Sequence, residues 1–336
     1  MCAFLEMKSV RMRRSYFNNE VHKEEPATVK RPFTRPLTFL ALILLSIYLL
    51  IAVFAPVIAP PISADPYLIP RDGYQAEPQP MGAAWKNNSP GLPFWYEPLT
   101  GRQEWVHLLG TTEGQYDIFY GIIWGTRTAF FTSLAVVVST FLIGVLVGAG
   151  AGYFGGFVDE LLMRLTDIFM TLPFLFAAMI LAAVLTPLLG RSLLPSILAL
   201  ITFGWMGYAR MIRGEVLSIK EMTYILAARA MGAGHAYILF RQILPNAIFP
   251  TLVFATLNIA EVTLGFAALS FLGISTQPGY ADWGQLLGFG RNWIMSLTHY
   301  WHIIVWPALA LMFFVLAWNL IGDALRDLLD PRTDTG

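Results

Sequence analysis

Six long apolar blocks decide what this chain can fold into. They cover residues 37–59, 128–152, 168–189, 193–209, 247–273 and 302–321, and their one acidic residue is Glu261, in the fifth. A helix needs about 20 apolar residues to cross a bilayer core of about 30 Å. Lipid offers no partner to free backbone groups, so such segments must be helices. The sequence predicts an all-α, polytopic membrane protein with six transmembrane helices, the fourth extending toward Met211.

The composition excludes several classes of protein. Hydrophobic residues make up 56% of the chain and charged residues only 13%, whereas an ordinary soluble domain has about 25% charged residues. A soluble enzyme, a disordered chain and a nucleic-acid binder are therefore excluded. The single cysteine, Cys2, rules out a disulfide scaffold and any multi-cysteine metal site.

The distribution of basic residues predicts the orientation. Sixteen Lys and Arg fall on the side of the two termini and five on the other side, with Arg127 at a boundary. Since basic residues are enriched in cytoplasmic loops, both termini are predicted in the cytoplasm. The first apolar block is longer than the 7–15 residues of a signal-peptide core, so we expect it to be retained. The predicted divisions are a cytoplasmic tail (1–36), a first transmembrane helix (37–59), an extracytoplasmic loop (60–120), a transmembrane core (121–325) and a cytoplasmic tail (326–336).

Two segments on the extracytoplasmic side are long enough to form structure of their own. Residues 60–120 are rich in Pro, Trp and Tyr, which is too aromatic for plain disorder. The segment is either a linker packed on the membrane surface or a docking lip for an external partner. Residues 274–300, with Trp283 and Trp293, are predicted to form a shorter loop with an interfacial helix.

The sequence contains no well-supported nucleotide-binding or metal-binding motif of a soluble enzyme. Residues 150–155 spell GxGxxG, but a dinucleotide site needs a strand before it, and here a membrane span precedes it. No GxxxxGK[ST] occurs, so ATP is not expected to bind to this chain. His299 and His302 are one turn apart, which favours a membrane-surface belt over a metal site. We predict no catalytic residue, no metal and no cofactor in this chain, which is not expected to be an enzyme.

Four glycines and one charged residue within the spans lead to two further predictions. Gly144, Gly148, Gly150 and Gly152 would let another helix approach the second span closely. Glu261 lies near the middle of the fifth span, where a carboxylate costs at least about 2.5–3.5 kcal/mol. It either lines a translocation pathway or pairs with a partner subunit, or else it makes a structural hydrogen bond or stays protonated.

The cytoplasmic segment from 210 to 246 is the most informative stretch. Residues 221–231 are predicted to form a short helix with an alanine-rich centre, ended by Gly232 and Gly234, because glycine readily adopts the left-handed conformation there. A second short helix is expected to run to Ile243 and stop before Pro245. Such a pair is shaped to dock into a groove on a partner, or it is a mere loop.

This segment resembles the EAA loop of the permease subunits of ATP-binding-cassette (ABC) importers. Ala227, Ala228 and Gly232 match the EAA-x3-G pattern, and Leu244 and Pro245 match its downstream element. Leu226 stands where the family has glutamate, which departs from the pattern.

Further elements resemble permeases of the dipeptide and oligopeptide type over residues 107–333. The matching elements are His107–Thr111 with HPLGTD, Trp124–Thr128 with YGxRxSL, Ala151–Gly156 with AGYFGG and then Asp159, Met163, Arg164, Asp167 and Pro173, Leu269–Gly273 with LSFLG, Trp283–Gly284 with PxWG, and Gly322–Asp327 followed by Asp330–Arg332 with GDxLRDxLDPR. In two of these, Trp124 replaces tyrosine and Ala281 replaces proline.

The resemblance implies a type I ABC importer permease fold and a C-type subunit in a bacterial or archaeal cytoplasmic membrane. Its implied partners are a B-type permease, two cytoplasmic ATPases that bind the ATP and magnesium, and an extracytoplasmic solute-binding protein. The coupling helix would be about 221–237, within a loop of about 214–245. The implied contacts to an ATPase are Ala227, Ala228, Arg229, Met231, Gly232 and Ala233.

The cargo and the class leave alternatives open. Peptides are the first expectation for the cargo, with oligosaccharides, nickel complexes or another solute as alternatives. A gradient-driven secondary transporter that uses Glu261 as a proton site would need neither an ATPase nor a binding protein. A membrane anchor or scaffold would transport nothing.

Overall fold

The computed structural model describes residues 36–86 and 93–329. Within that part of the chain the regular elements are all helices, joined by loops with a few isolated β-bridges. The predicted tail 1–36, apart from its last residue, residues 87–92 and the predicted Asp330–Arg332 element lie outside the described residues. The helices are α1 Pro36–Ile58, α2 Tyr96–Thr100, α3 Ile118–Phe154, α4 Gly156–Met170, α5 Phe174–Leu189, α6 Leu193–Gly204, α7 Met206–Ile219, α8 Thr223–Ala230, α9 His235–Phe271, α10 Trp283–Gly290, α11 Leu297–Tyr300 and α12 His302–Leu329.

Within residues 36–86 and 93–329, five helical segments are long and apolar enough to cross a membrane. They are α1, α3, the pair α6–α7, α9 and α12, and the bent pair α4–α5 makes a sixth if it is counted as one span. The prediction of an all-α, polytopic membrane protein is confirmed. The fourth span also extends beyond residue 209, because α7 continues the path of α6 after a break at Trp205.

The third predicted span, 168–189, is wrong in its first part. Residues 168–170 belong to α4, and α5 begins only at Phe174 and has 16 residues. The two helices meet at 85°. Pro173 lies at this corner, where it has no N–H to continue the hydrogen bonds of α4. A window of hydropathy averages over such a corner, since the residues on both sides are equally apolar.

A row of glycines lets α3 and α7 touch backbone to backbone. A Cβ atom on Gly148 would lie 2.2 Å from the Ala209 carbonyl oxygen, and one on Gly144 would lie 2.4 Å from the Tyr208 Cβ. Gly152 approaches Arg213 in the same way, whereas a Cβ on Gly150 would meet only the Leu162 side chain, at 4.0 Å. The predicted close approach is confirmed for three of the four glycines, because Gly150 faces α4 instead.

The helix that was expected to stop before Pro245 continues through it. Residues Ile238–Ile243 form a π-helical stretch inside α9. The Leu244 N–H bonds to the Leu239 carbonyl, five residues back, and this wider turn accommodates a ring that would break an ordinary helix. The prediction of a second short helix is therefore wrong, and the chain passes directly into the fifth span.

The loops on one end of the bundle form a folded cap. We define the cap as residues 59–86, 93–117 and 272–301. Backbone hydrogen bonds join its parts, from Ala281 N to the Tyr67 oxygen at 2.7 Å and from Ile69 N to the Gly279 oxygen at 2.8 Å. The helix predicted in the 274–300 loop is α10, and its Trp283 is 2% exposed between α3 and α12. The cap is thus continuous with the aromatic core of the bundle.

Candidate functional site

The short helix α8 lies at the end of the bundle opposite the cap. Its Ile225 is fully buried, in a cluster with Ile212 and Val216 of α7 and Ile238 of α9. One face of α8 is thereby attached to the two helices that flank it in sequence. A movement of α8 would be passed directly to α7 and α9.

The C-terminal end of α8 is closed by a Schellman motif. Gly232 has φ +82°, and its N–H bonds to the Arg229 carbonyl while Ala233 N–H bonds to the Ala228 carbonyl, at 3.0 and 3.1 Å. This is the left-handed ending that glycine favours, as predicted for Gly232. Gly234 differs from the prediction, because its φ is −70° and it is the residue that precedes α9.

The other face of α8 is apolar and exposed. Met222, Tyr224 and Leu226 are 45–46% exposed and Met231 is 82% exposed. Of the six residues predicted to contact an ATPase, Ala227, Arg229, Met231 and Gly232 are on the surface and Ala233 is half-buried. Ala228 is 4% exposed and faces the subunit's own core. Their role as contacts stays a prediction.

Two ion pairs connect α7, which precedes α8 in the chain, to α4. Arg213 of α7 binds Asp159 of α4 through two nitrogens, at 2.5 and 2.7 Å. Arg210 binds Asp167, also between α7 and α4, at 2.5 Å. Both acids lie in the segment that follows AGYFGG, so the structure gives these motif residues a positioning role. The sequence did not predict these pairs, because the partners are more than forty residues apart in the chain.

Glu261 lies on the exposed side of α9. Its Oε2 accepts a hydrogen bond from the Asn258 side chain at 3.0 Å, and the Asn258 oxygen accepts one from the Tyr208 hydroxyl at 3.0 Å. The hydrogen bond expected in one alternative for Glu261 is therefore present. The side chain nevertheless faces away from the subunit, so a place in a pathway stays a prediction.

Polar residues of the cap are buried together under its surface. His107 is fully buried, with Nδ1 at 2.7 Å from an Asp117 oxygen and Nε2 at 3.4 Å from an Asp72 oxygen. Asp72 also accepts hydrogen bonds from Gln79 and from Lys86 N. His302 is 2% exposed, with Nε2 at 3.1 Å from the Gln79 carbonyl oxygen. Nowhere in residues 36–86 and 93–329 do three or more His, Cys, Asp or Glu side chains form a metal-binding group.

These features define a multi-pass membrane protein with an exposed helix mounted between two of its spans. The chain belongs to the family of binding-protein-dependent transport system inner membrane components, whose model matches residues 142–335. The predicted membership among ABC importer permeases is thereby confirmed. Members of this family are permease subunits rather than enzymes.

Three relatives show what this chain is similar to. The glutathione transport system permease protein GsiD of Pectobacterium atrosepticum is 36% identical over 239 residues, covering 71% of this chain and 77% of that protein. The dipeptide transport system permease protein DppC of Bacillus subtilis is 34% identical, covering 67% and 69%. The nickel transport system permease protein NikC of Escherichia coli K12 is 38% identical, covering 68% and 80%.

A solved structure shows the same fold. An inward-facing MetNI methionine ABC transporter matches 63% of this chain and 98% of its own, with a TM-score of 0.52 and 19% sequence identity.

Proposed function

We propose that this chain is the C-type permease of an ATP-driven importer that carries peptides. Relatives at 31–36% identity are named for dipeptide, oligopeptide and glutathione transport. In this proposal an extracytoplasmic binding protein delivers the peptide to the cap end. A B-type permease completes the pathway, and both termini lie in the cytoplasm of a bacterial or archaeal cell.

The observation that carries this proposal is the two-sided character of α8. Ile225 attaches one face to α7 and α9, while the other presents apolar side chains and Arg229 to the surroundings. Exposed apolar patches rimmed by polar groups are typical of interaction sites. We call the exposed apolar face, formed by Met222, Tyr224, Leu226 and Met231, the docking face. We infer that it docks into a groove of a cytoplasmic ATPase, which binds the ATP and magnesium. Closure of the ATPase pair would then move α8 and, through Ile225, the spans.

A substitution at the end of α8 tests this coupling. Any side chain at Gly232 is strained at φ +82°, so Gly232→Trp should displace the docking face without touching a span. In proteoliposomes with the complete transporter, we expect uptake of a radiolabelled tripeptide to fall at least tenfold while ATP hydrolysis continues. Gly190→Trp is the matched control, since Gly190 is exposed, has a similar φ of +80° with open space around it, and lies between α5 and α6, away from α8. Unimpaired uptake in Gly232→Trp would rule out coupling through α8.

A second cargo is supported by one specific observation. The nickel permease NikC is 38% identical over 229 residues, which is as similar as the peptide permeases. Uptake of ⁶³Ni²⁺ with a chelator, measured beside the tripeptide in the same proteoliposomes, decides between the two cargoes. Nickel uptake without tripeptide uptake would replace the peptide proposal and leave the coupling proposal intact.

A further inference from the structure

One carboxylate lies in the middle of a membrane-crossing helix and faces out of the subunit. Between Leu244 and Phe271, Glu261 is the single charged residue, and it is exposed. Intramembrane acids face a bundle interior or a water-filled cavity because lipid would not solvate them. The face of α9 that holds Glu261 therefore meets either water or protein in the assembled transporter.

A relay of two hydrogen bonds fixes this carboxylate to the core. The Tyr208 hydroxyl donates to Asn258 Oδ1, and Asn258 Nδ2 donates to Glu261 Oε2, each at 3.0 Å. A carboxylate only accepts hydrogen bonds, so the orientation of the Asn258 amide between the two is determined. Tyr208 itself is fully buried between the rings of Phe141 and Phe254. Glu261 is thus a positioned group rather than a mobile one.

We propose that Glu261 is a cation-selective point of the translocation pathway, with Asn258 and Tyr208 as its positioning residues. The relay occupies Oε2, and within the described part of the chain no hydrogen-bond donor reaches Oε1. A fixed negative charge in a narrow, low-dielectric passage raises the local concentration of cations and lowers that of anions. The favoured cargo carries an ammonium group or another cation. The proposal rests on the importer function above, and both a peptide amino terminus and a nickel cation have the required charge.

A neighbouring residue offers a reporter for this selectivity. Leu264 is 47% exposed and follows Glu261 by three residues, which places the two side chains next to each other on one helix face. The chain has a single cysteine, Cys2, so Cys2→Ser leaves this chain without a thiol, and modification is then followed on this chain. Leu264→Cys then reports which charged molecules reach the face of Glu261.

The test compares thiol reagents of opposite charge on the assembled transporter in proteoliposomes. The rates of modification of Leu264→Cys by a trimethylammonium and by a sulfonate methanethiosulfonate give a cation-to-anion ratio. We expect Glu261→Gln to lower this ratio about tenfold, since focusing by a fixed charge changes local concentrations by that order. Asn258→Leu and Tyr208→Phe should lower it by a smaller factor, because the carboxylate remains but loses its orientation. Leu50→Cys, on the exposed face of α1, is the control and should react with neither reagent.

Three results would overturn the proposal. A Leu264→Cys that reacts with neither reagent would place this face against lipid or protein. An equal cation-to-anion ratio in the protein with Glu261 and in the Glu261→Gln variant would mean that the carboxyl is protonated or paired with a base of the partner. An unchanged ratio in both relay variants would remove the positioning role. Tripeptide uptake driven by ATP is measured in the same vesicles, so that failure of the importer function is seen separately.

Discussion

The cap and the docking face of α8 differ in which side chains they bury and which they expose. In the cap, His107 is fully buried between two carboxylates and Trp283 lies within the bundle core. At the other end, Met231 is 82% exposed, and Met222, Tyr224 and Leu226 on the apolar face of α8 are 45–46% exposed. The cap buries its own polar and aromatic side chains, whereas α8 leaves an apolar face exposed. Stability and function should therefore respond differently to substitutions in the two regions.

The largest effect is expected from removing the buried imidazole of the cap. The ring nitrogens of His107 lie 2.7 Å from an Asp117 oxygen and 3.4 Å from an Asp72 oxygen, so His107→Ala would remove one partner from each of these buried acids. Each buried polar group that loses a hydrogen-bond partner costs about 1–3 kcal/mol, and the cavity left by the imidazole adds to this cost. Thermal unfolding in detergent should show a large loss of stability. His299→Ala, at an exposed histidine, should change stability by less than about 0.5 kcal/mol. If the wild type and His107→Ala unfold at the same temperature, the buried hydrogen bonds of His107 do not stabilise the cap.

The second effect concerns the attachment of α8. Ile225 is fully buried, and Ile→Ala in a core costs about 2–5 kcal/mol. We expect Ile225→Ala to loosen α8 locally, with faster amide exchange over 223–230 and unchanged exchange in the cap. Leu226→Ala removes an exposed neighbour and is the control. Faster exchange throughout the bundle would show that α8 is part of the global core and not an attached lever.

The third effect is a pH dependence confined to the cap. Burial raises the pKa of Asp282 to about 6, although its Oδ1 accepts a hydrogen bond from Gly284 N. A raised pKa means that the folded state favours the protonated acid, so this contribution is present below about pH 4 and is lost as the pH rises through 6. Asp282→Asn keeps the helix cap without the charge. It should be more stable than the wild type by about 2–3 kcal/mol at pH 7.5 and equal to it at pH 4.

A wild type that is as stable as Asp282→Asn at pH 7.5 would contradict this account of the carboxyl. The unfolding temperatures of both proteins at four pH values between 4 and 8 decide the matter.

The smallest effect on stability is expected on the exposed face of α8. Leu226→Glu changes a 46% exposed side chain, so the free energy of unfolding should change by less than about 0.5 kcal/mol. Uptake should nevertheless change, because the docking face becomes charged where it is apolar. Uptake equal to that of the wild type would show that Leu226 does not contact the partner.

The same contrast explains what the sequence could predict. The spans and the Gly232 ending follow from local patterns, namely runs of about 20 apolar residues and a glycine after an alanine-rich helix. The corner at Pro173 and the π turn before Pro245 depend on how each proline is accommodated. A proline lies between two helices at position 173 but inside a helix at position 245, so the residue type alone does not predict the outcome. The Asp159–Arg213 pair and the burial of His107 join distant residues, so no local pattern contains them.

The sequence singles out Glu261 but not its surroundings, and its place in a pathway stays a prediction. Its rarity within a span marked it as a candidate, because an unpaired carboxylate is costly there. The relay through Asn258 to Tyr208 could not be predicted, since Tyr208 lies fifty residues earlier on another helix.

Photo-crosslinking from the docking face shows whether α8 binds an ATPase in the membrane. Benzoylphenylalanine replaces Met231 in the native membrane, with the same replacement at Tyr74, an 86% exposed residue of the cap, as the control. We expect the residue at position 231 to crosslink to a P-loop ATPase, identified by mass spectrometry, and the residue at position 74 not to do so. A Met231 that crosslinks only to lipid, in membranes that still show ATP-driven uptake, would contradict it.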